Sequence, residues 1–215
     1  MSHIYVLALT GHKTPPFVVD GRRIEFIKVE NLFAAVDRRP QPPTASETEL
    51  RSQHEAVTAI FSRVEDLLPV RFGAWIERRE LTEVVARQKT AIVDALELVR
   101  GRVQMTIRFV AHSPAVRQDR RSGDRPETGT AYLQRRRNME PVMPPTATPI
   151  KNAVSHMVVA ERVNPGSAGG AAYLYHLIAR DGVAAYMAAM LPFQSETVTV
   201  SGPWPPFAFA PDPWP

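Results

Sequence analysis

Apolar residues recur along the chain in two periods, and the switches between them mark out strands and helices. Ile4 to Leu9 is an unbroken apolar run closed by Thr10-Gly11 and Pro15-Pro16, the pattern of a buried strand. Arg23 to Val29 and Leu32 to Val36 flank Glu30-Asn31 at the spacing of a tight hairpin, so the chain opens with three strands. After Pro40, Pro42 and Pro43, Ser46-Glu47-Thr48-Glu49 reads as a capping box, with Ser46 as N-cap and Glu49 reaching back. Ala56, Val57, Ile60, Phe61, Val64, Leu67 and Leu68 then form one helical stripe, which Pro69 closes.

Phe72 to Ile76 predicts a short strand. The 3.6-residue spacing of Leu81, Val84, Val85, Gln88, Ile92, Leu96 and Val99 predicts one helix, with Gly101 as its C-cap. From Arg102 to Val110 the alternation is strict: Val103, Met105, Ile107 and Phe109 share one face, and Arg102, Gln104, Thr106 and Arg108 the other. His112 to Glu127 reads as loop, and Gly129 to Leu133 as the start of a short helix ended by the prolines from Pro141 to Pro149. Residues 141–170 read as largely irregular, although Val154 to Ala160 suits a strand or a helix. Ala172 to Ala179 is apolar on both faces, Asp181 stands where it can cap a helix from Gly182 to Leu191, and Glu196 to Val200 alternates as a last strand.

Counted from Phe72, the order is strand, helix, strand, an inserted segment at about 112–170, strand, helix, strand, a ferredoxin-like βαββαβ series. The expected class is α+β, with an N-terminal α/β domain over 1–70, a ferredoxin-like domain over 71–202, and a Pro/Trp-rich tail over 203–215. In that tail, Gly202-Pro203-Trp204-Pro205-Pro206-Phe207 holds two aromatic rings on a stiff, extended backbone. It packs back over the chain's own core or docks a partner; the expectation is that it packs back, because an exposed Trp-Phe pair would be a sticky patch.

Composition narrows the function classes. With 215 residues, 44% of them hydrophobic, the chain can bury a core. It has no cysteine, which excludes disulfides, thiolate metal sites and cysteine nucleophiles. The start lacks the basic and apolar regions of a secretory signal, and every apolar run breaks well before the about 18 residues needed to span a bilayer, so a cytoplasmic protein without a membrane partner is expected. The 26 Lys+Arg exceed the 22 Asp+Glu only mildly, for a net charge of +4. That excess concentrates between Arg117 and Arg137, as a solvated face or as a patch for an acidic partner or a phosphate backbone.

Catalytic signatures are missing, and no catalytic, cofactor-binding or metal-binding residue is expected. His54-Glu55 is not followed by the second histidine of a HExxH site. Gly166 to Gly170 is glycine-rich without the lysine of a phosphate loop, and Glu77, Glu80 and Glu83 have the spacing of a hydrated helix face. An RNA platform of the ferredoxin-like type needs aromatics on its central strands, and Arg102 to Val110 offers none on its polar face, so nucleic acid is not an expected partner. A ferredoxin-like nucleic-acid- or small-ligand-binding module is the alternative reading.

Three stretches together resemble one family. Leu68-Pro69-Val70-Arg71-Phe72-Gly73, Gly129-Thr130-Ala131-Tyr132-Leu133 and Gly202-Pro203-Trp204-Pro205-Pro206-Phe207 are similar in identity, order and spacing to the gas vesicle synthesis proteins GvpF and GvpL. Ala74 stands where the family typically has Thr, Phe207 where it has Tyr, and Pro141 shortens the helix after Leu133. The resemblance implies a small N-terminal α/β domain and a modified ferredoxin-like C-terminal domain. It also implies a non-enzymatic accessory or minor wall component of gas vesicles, without cofactor, partnered by the small apolar shell protein GvpA and other accessory gas vesicle proteins. No site residues carry over.

Overall fold

The computed structural model describes residues 3–110, 143–165 and 170–211. The Arg117–Arg137 cluster, the motif from Gly129 to Leu133, most of the glycine-rich stretch 166–170 and the last four residues lie outside them. Two compact units divide the chain: 105–202 forms one, and the residues before and after it form the other. The sequence reading starts its second domain at 71, whereas this division leaves 71–104 with the first unit.

The apolar run at the start is β1 (His3–Thr10), buried from Ile4 to Thr10. A strand buried on both faces must find partners for the backbone groups along both edges. Along one edge β4 (Leu32–Asp37) pairs antiparallel, with a bulge between Val6 and Ala8. Two short strands share the other edge: β5 (Leu68–Pro69) pairs with Leu9 and Ala8, and β6 (Trp75–Glu77) with Tyr5, Ile4 and His3. Between these pairings the five residues 70–74 run past only Val6 and Leu7, so the turn at Arg71, Phe72 and Gly73 absorbs the surplus. Its two ends are pinned by 2.9 Å bonds, Val70 N–H to the Leu7 carbonyl and Val6 N–H to the Ala74 carbonyl. Gly73 sits at φ +93°, a left-handed position that suits glycine.

The hairpin of β3 (Arg22–Val29) and β4 forms as expected around Glu30, itself at φ +55°. A further strand, β2 (Phe17–Val19), extends the sheet to the order β2-β3-β4-β1-β5. The helix α1 (Glu47–Phe61) begins at Ser46, whose Oγ accepts the Glu49 N–H at 3.2 Å. The reverse half of the capping box does not form: the Ser46 N–H donates to the Thr44 carbonyl at 2.7 Å, and two 2.9 Å bonds from Arg39 hold the Glu49 carboxylate. The helix also stops short of expectation, at Phe61; Val64, Leu67 and Leu68 are buried in extended or turn backbone instead. Similarly, the single helix expected after residue 80 is two, α2 (Arg78–Arg87) and α3 (Lys89–Val99), broken at Gln88 with φ −114° and ψ 19°. Leu81, Val84, Val85, Ile92, Leu96 and Val99 are buried all the same.

Asp66 clasps this unit together. Its fully buried carboxylate accepts the Thr10 hydroxyl at 2.8 Å and the Gly11 N–H at 3.2 Å, with His12 Nδ1 at 3.1 Å and Arg100 Nη2 at 3.7 Å. A Cβ on Gly11 would stand 2.7 Å from Asp66 Oδ2, so the close approach requires glycine. The C-terminal segment belongs to the same unit. Pro205 and Pro206 are buried, Phe209 is 2% exposed, and the Ala208 N–H donates to Gln104 Oε1 at 2.7 Å.

In the second unit the strand expected over Arg102 to Val110 is β7 (Arg102–Val110). It is followed by α4 (Ala147–Val154), β8 (Val158–Asn164), β9 (Ala171–Ala179), α5 (Val183–Met190) and β10 (Val198–Trp204). The sheet order β10-β7-β9-β8 puts the first and third strands of a βαββαβ series in the middle. The protein is α+β, as the sequence implied, but the series starts one strand later than expected. The strand near Phe72 is β6, which pairs with β1. Its place is filled by α4 and β8, from a stretch read as largely irregular. Pro149 misled that reading: it lies in the first turn of α4, where no intrahelical N–H bond is lost.

Two stability outcomes follow from the first unit. Gly11→Ala should lower stability by about 1–3 kcal/mol in chemical denaturation, through the forced contact with Asp66. Phe209→Ala should cost about 3–5 kcal/mol, and Trp204→Ala less, because only the former side chain is fully buried; equal losses would contradict this packing.

Candidate partner-binding surface

The helix α5 is built from Val183, alanines, Tyr186 and methionines, and no charged residue occurs from Gly182 to Ser195. Asp181 does not cap it as expected; it lies in the 3-10 turn Arg180–Gly182, and no side chain caps the helix. Only Tyr186 and Met190 are buried. The outward residues are apolar as well: Ala184, Ala185 and Ala188 are exposed, and Leu191, which starts the 3-10 turn Leu191–Phe193, is 69% exposed. A solvent-facing helix ordinarily carries Glu and Lys on that side, so a charge-free outer face marks a surface suited to an apolar partner. The sequence placed this helix correctly, and its missed signal was the absence of charge over fourteen residues, 182–195.

A polar relay holds the inner side of α5. The buried His176 of β9 meets the Tyr186 hydroxyl through Nδ1 at 2.7 Å and Glu161 of β8 through Nε2 at 3.1 Å, and Glu161 pairs with Lys151 of α4. Burial holds the His176 imidazole below the usual histidine range despite Glu161, and burial also raises the Tyr186 hydroxyl. His176 is therefore neutral near pH 7, with Tyr186 donating to Nδ1 and Nε2–H donating to Glu161. Both ring nitrogens are satisfied, which fixes α5 against the sheet.

Among the described residues β8 is an edge strand, and Val159 and Val163 on it are exposed. The register with β9 shifts between Val158 and Ala160, an irregularity of the kind that guards edges against indiscriminate pairing.

In the first unit the residues singled out in the sequence converge in two places. His54 of α1 stacks on Phe207, with centroids 6.0 Å apart and planes at 16°, and meets Trp204 edge-on at 5.5 Å. The tail is thus folded against α1, with Phe207 still 39% exposed. Separately, Arg71, Phe72, Gly73, Trp75 and Glu80 line a surface pocket of about 420 Å³. Behind it, the Tyr5 hydroxyl donates to Gln53 Oε1, and Gln53 Nε2 donates to the Val70 carbonyl at 2.9 Å. Burial pushes Tyr5 up to about 12, so it remains a donor at any physiological pH. Among the described residues no three His, Cys, Asp or Glu side chains cluster in a way that could hold a metal ion.

The family model described as gas vesicle synthesis protein GvpL/GvpF matches residues 3–211. The chain belongs to the GvpL/GvpF family. Two solved structures share its fold: gas vesicle protein GvpF from Microcystis aeruginosa and GvpF from Anabaena sp. PCC7120. The first is 13% identical with a TM-score of 0.71, covering 98% of this chain and 100% of that one. The second is 14% identical with a TM-score of 0.72, covering 98% and 97%. No curated protein sequence matches the chain. GvpL/GvpF proteins are gas vesicle assembly proteins and not a known enzyme family, so membership supports an assembly role and association with gas vesicles. Among the described residues no helix is long and apolar enough to cross a membrane.

The relay around His176 gives a pH dependence. An unfolded histidine titrates near 6.5 and the native one lower, so the unfolded chain binds more protons between those values. The contribution is present above about pH 6.5 and is lost as pH falls toward the native value. Thermal melts from pH 7.5 to 5 should therefore show a decline that His176→Gln flattens; parallel profiles would refute the assignment.

Proposed function

We propose that this GvpL/GvpF protein is a non-enzymatic accessory factor that binds the small apolar shell protein GvpA, together with other accessory gas vesicle proteins, and chaperones or nucleates the wall. An apolar subunit that polymerises aggregates if its surface is left uncovered, and a binding protein prevents this by covering that surface until it is incorporated. The observation that carries the reading is the charge-free outer face of α5 and the turn after it, where Leu191 is 69% exposed. Such a face gains by burial against apolar side chains and leaves no charge to desolvate. Beyond the irregularity at Val158–Ala160, the outer edge of β8, the last strand of its sheet among the described residues, is a second place where a partner strand fits. The tail rings Trp204 and Phe207 are engaged with His54, which supports a structural role for that motif.

Co-expression with affinity-tagged GvpA tests this. The intact protein should co-purify, and Ala188→Glu or Leu191→Glu should lower recovery about tenfold with an unchanged melting temperature, as expected for a charge placed in an apolar contact. Absence of co-purification, combined with normal vesicles in a strain lacking the gene, would refute the proposal.

A further inference from the structure

α5 is eight residues long, no side chain caps it, and Tyr186 and Met190 are its buried residues. A helix of that length without caps does not persist in water on its own, so its order depends on what it touches. Among the described residues the Tyr186 hydroxyl has one hydrogen-bond partner, His176 Nδ1 at 2.7 Å, and the two rings meet edge-on with centroids 5.9 Å apart and planes at 86°. Both residues are fully buried. The link is directional, because a hydroxyl that donates to Nδ1 requires that nitrogen to be bare. A proton on Nδ1 turns the hydroxyl into an acceptor. Its own hydrogen is then left without a partner in the core, beside a buried cation.

Each element packed around the ring contributes differently to its charge. β8 supplies Glu161, 3.1 Å from Nε2, and α4, which packs beside α5, supplies Lys151, which pairs with the same carboxylate. α5 itself carries no charge. Neither Arg102 and Arg108 of β7 nor Arg180 and Asp181 of the turn before α5 is among the described charges that act on the ring. Glu161, shared with Lys151, compensates an imidazolium only in part, and burial outweighs it. We propose that α5 is an acid-released docking face: protonation of His176 unhooks Tyr186, the helix leaves the sheet, and the apolar surface presented at neutral pH is withdrawn. The inference rests on the reading of that face as the shell-protein site. In the released state the imidazole is hydrated and titrates near 6.5, whereas the docked state keeps it neutral to lower pH, so proton uptake below about pH 6.5 favours release. Linkage is reciprocal, and a partner that fixes α5 also resists the proton.

Hydrogen exchange of the α5 amides in the full-length chain, followed by mass spectrometry between neutral and mildly acidic pH and corrected for the intrinsic exchange rate, tests the switch without a partner. Protection should fall about tenfold from about pH 7.5 to about pH 5, the scale of one linked proton. His176→Gln, whose amide still accepts from Tyr186 and donates to Glu161, should hold protection constant. His156→Gln, at an exposed histidine of the same unit, should leave the native response in place. Tyr186→Phe keeps the ring and loses the hook, so its α5 should be as weakly protected at neutral pH as the native helix is in acid. In a second arm, GvpA captured at neutral pH should be lost in acid by the native chain and retained by His176→Gln. Unaltered α5 protection, or an acid response that His176→Gln keeps, would overturn the proposal. Failure to capture GvpA at neutral pH alongside the expected exchange response would count against the docking reading and leave the switch standing.

Discussion

The second edge of β1 carries the first unit. Its residues are buried on both faces, so every backbone group along it must be paired, and on one side the pairing is divided between β5 and β6. The residues between those strands are the Val70-Arg71-Phe72-Gly73 stretch, which makes the family resemblance intelligible in physical terms. The motif is the segment that closes the sheet while accommodating three more residues than its partner strand supplies, the five at 70–74 against Val6 and Leu7. Gln53 pins it from α1 through the Val70 carbonyl, and Tyr5 pins Gln53 in turn, so a polar chain crosses the core at the point where the ladder is interrupted. Each donor and acceptor in that chain has a partner, the condition for burying such groups without a desolvation penalty.

Much of the fold was legible where burial follows a single period. The hairpin, α1 with its Ser46 cap, and the alternation of β7 needed only local rules. The errors share one cause: periodicity reports which residues are buried and not whether the backbone stays regular between them. Leu67 and Leu68 fit the stripe of α1 and are indeed buried, but Leu68 reaches the core as part of β5. The stripe through Gln88 stays in phase across a break between two helices. In the second unit the reading left Val154 to Ala160 open between strand and helix and placed nothing regular beyond it, because an edge strand with Glu161 and Arg162 in its middle shows no one-sided alternation. Recovering it shifts the frame of the whole ferredoxin-like series without changing its class.

Surface chemistry was harder to read than the core. Whether Glu161 stands opposite His176 depends on which strands are neighbours, and sheet order is not local information. The apolar outer side of α5 was visible in principle, since an eight-residue helix inside a charge-free stretch, 182–195, is unusual in solvent. What the residues alone could not supply was the other half of the observation, that Tyr186 and Met190 already fill the inner contact and leave Leu191 and the alanines outward. His176, with burial outweighing Glu161, shows the same dependence on tertiary context.

The first unit is discontinuous, with Phe209 in its core and 105–202 intervening. During translation it therefore stays unsealed while about a hundred further residues emerge, roughly 5–20 s at ordinary ribosomal rates, and the inserted unit has time to fold first. A chain that ends before Phe209 leaves that core position unfilled. Closing the first core is thereby tied to a segment made after the inserted unit, so the two ends of that unit must meet before its packing is finished.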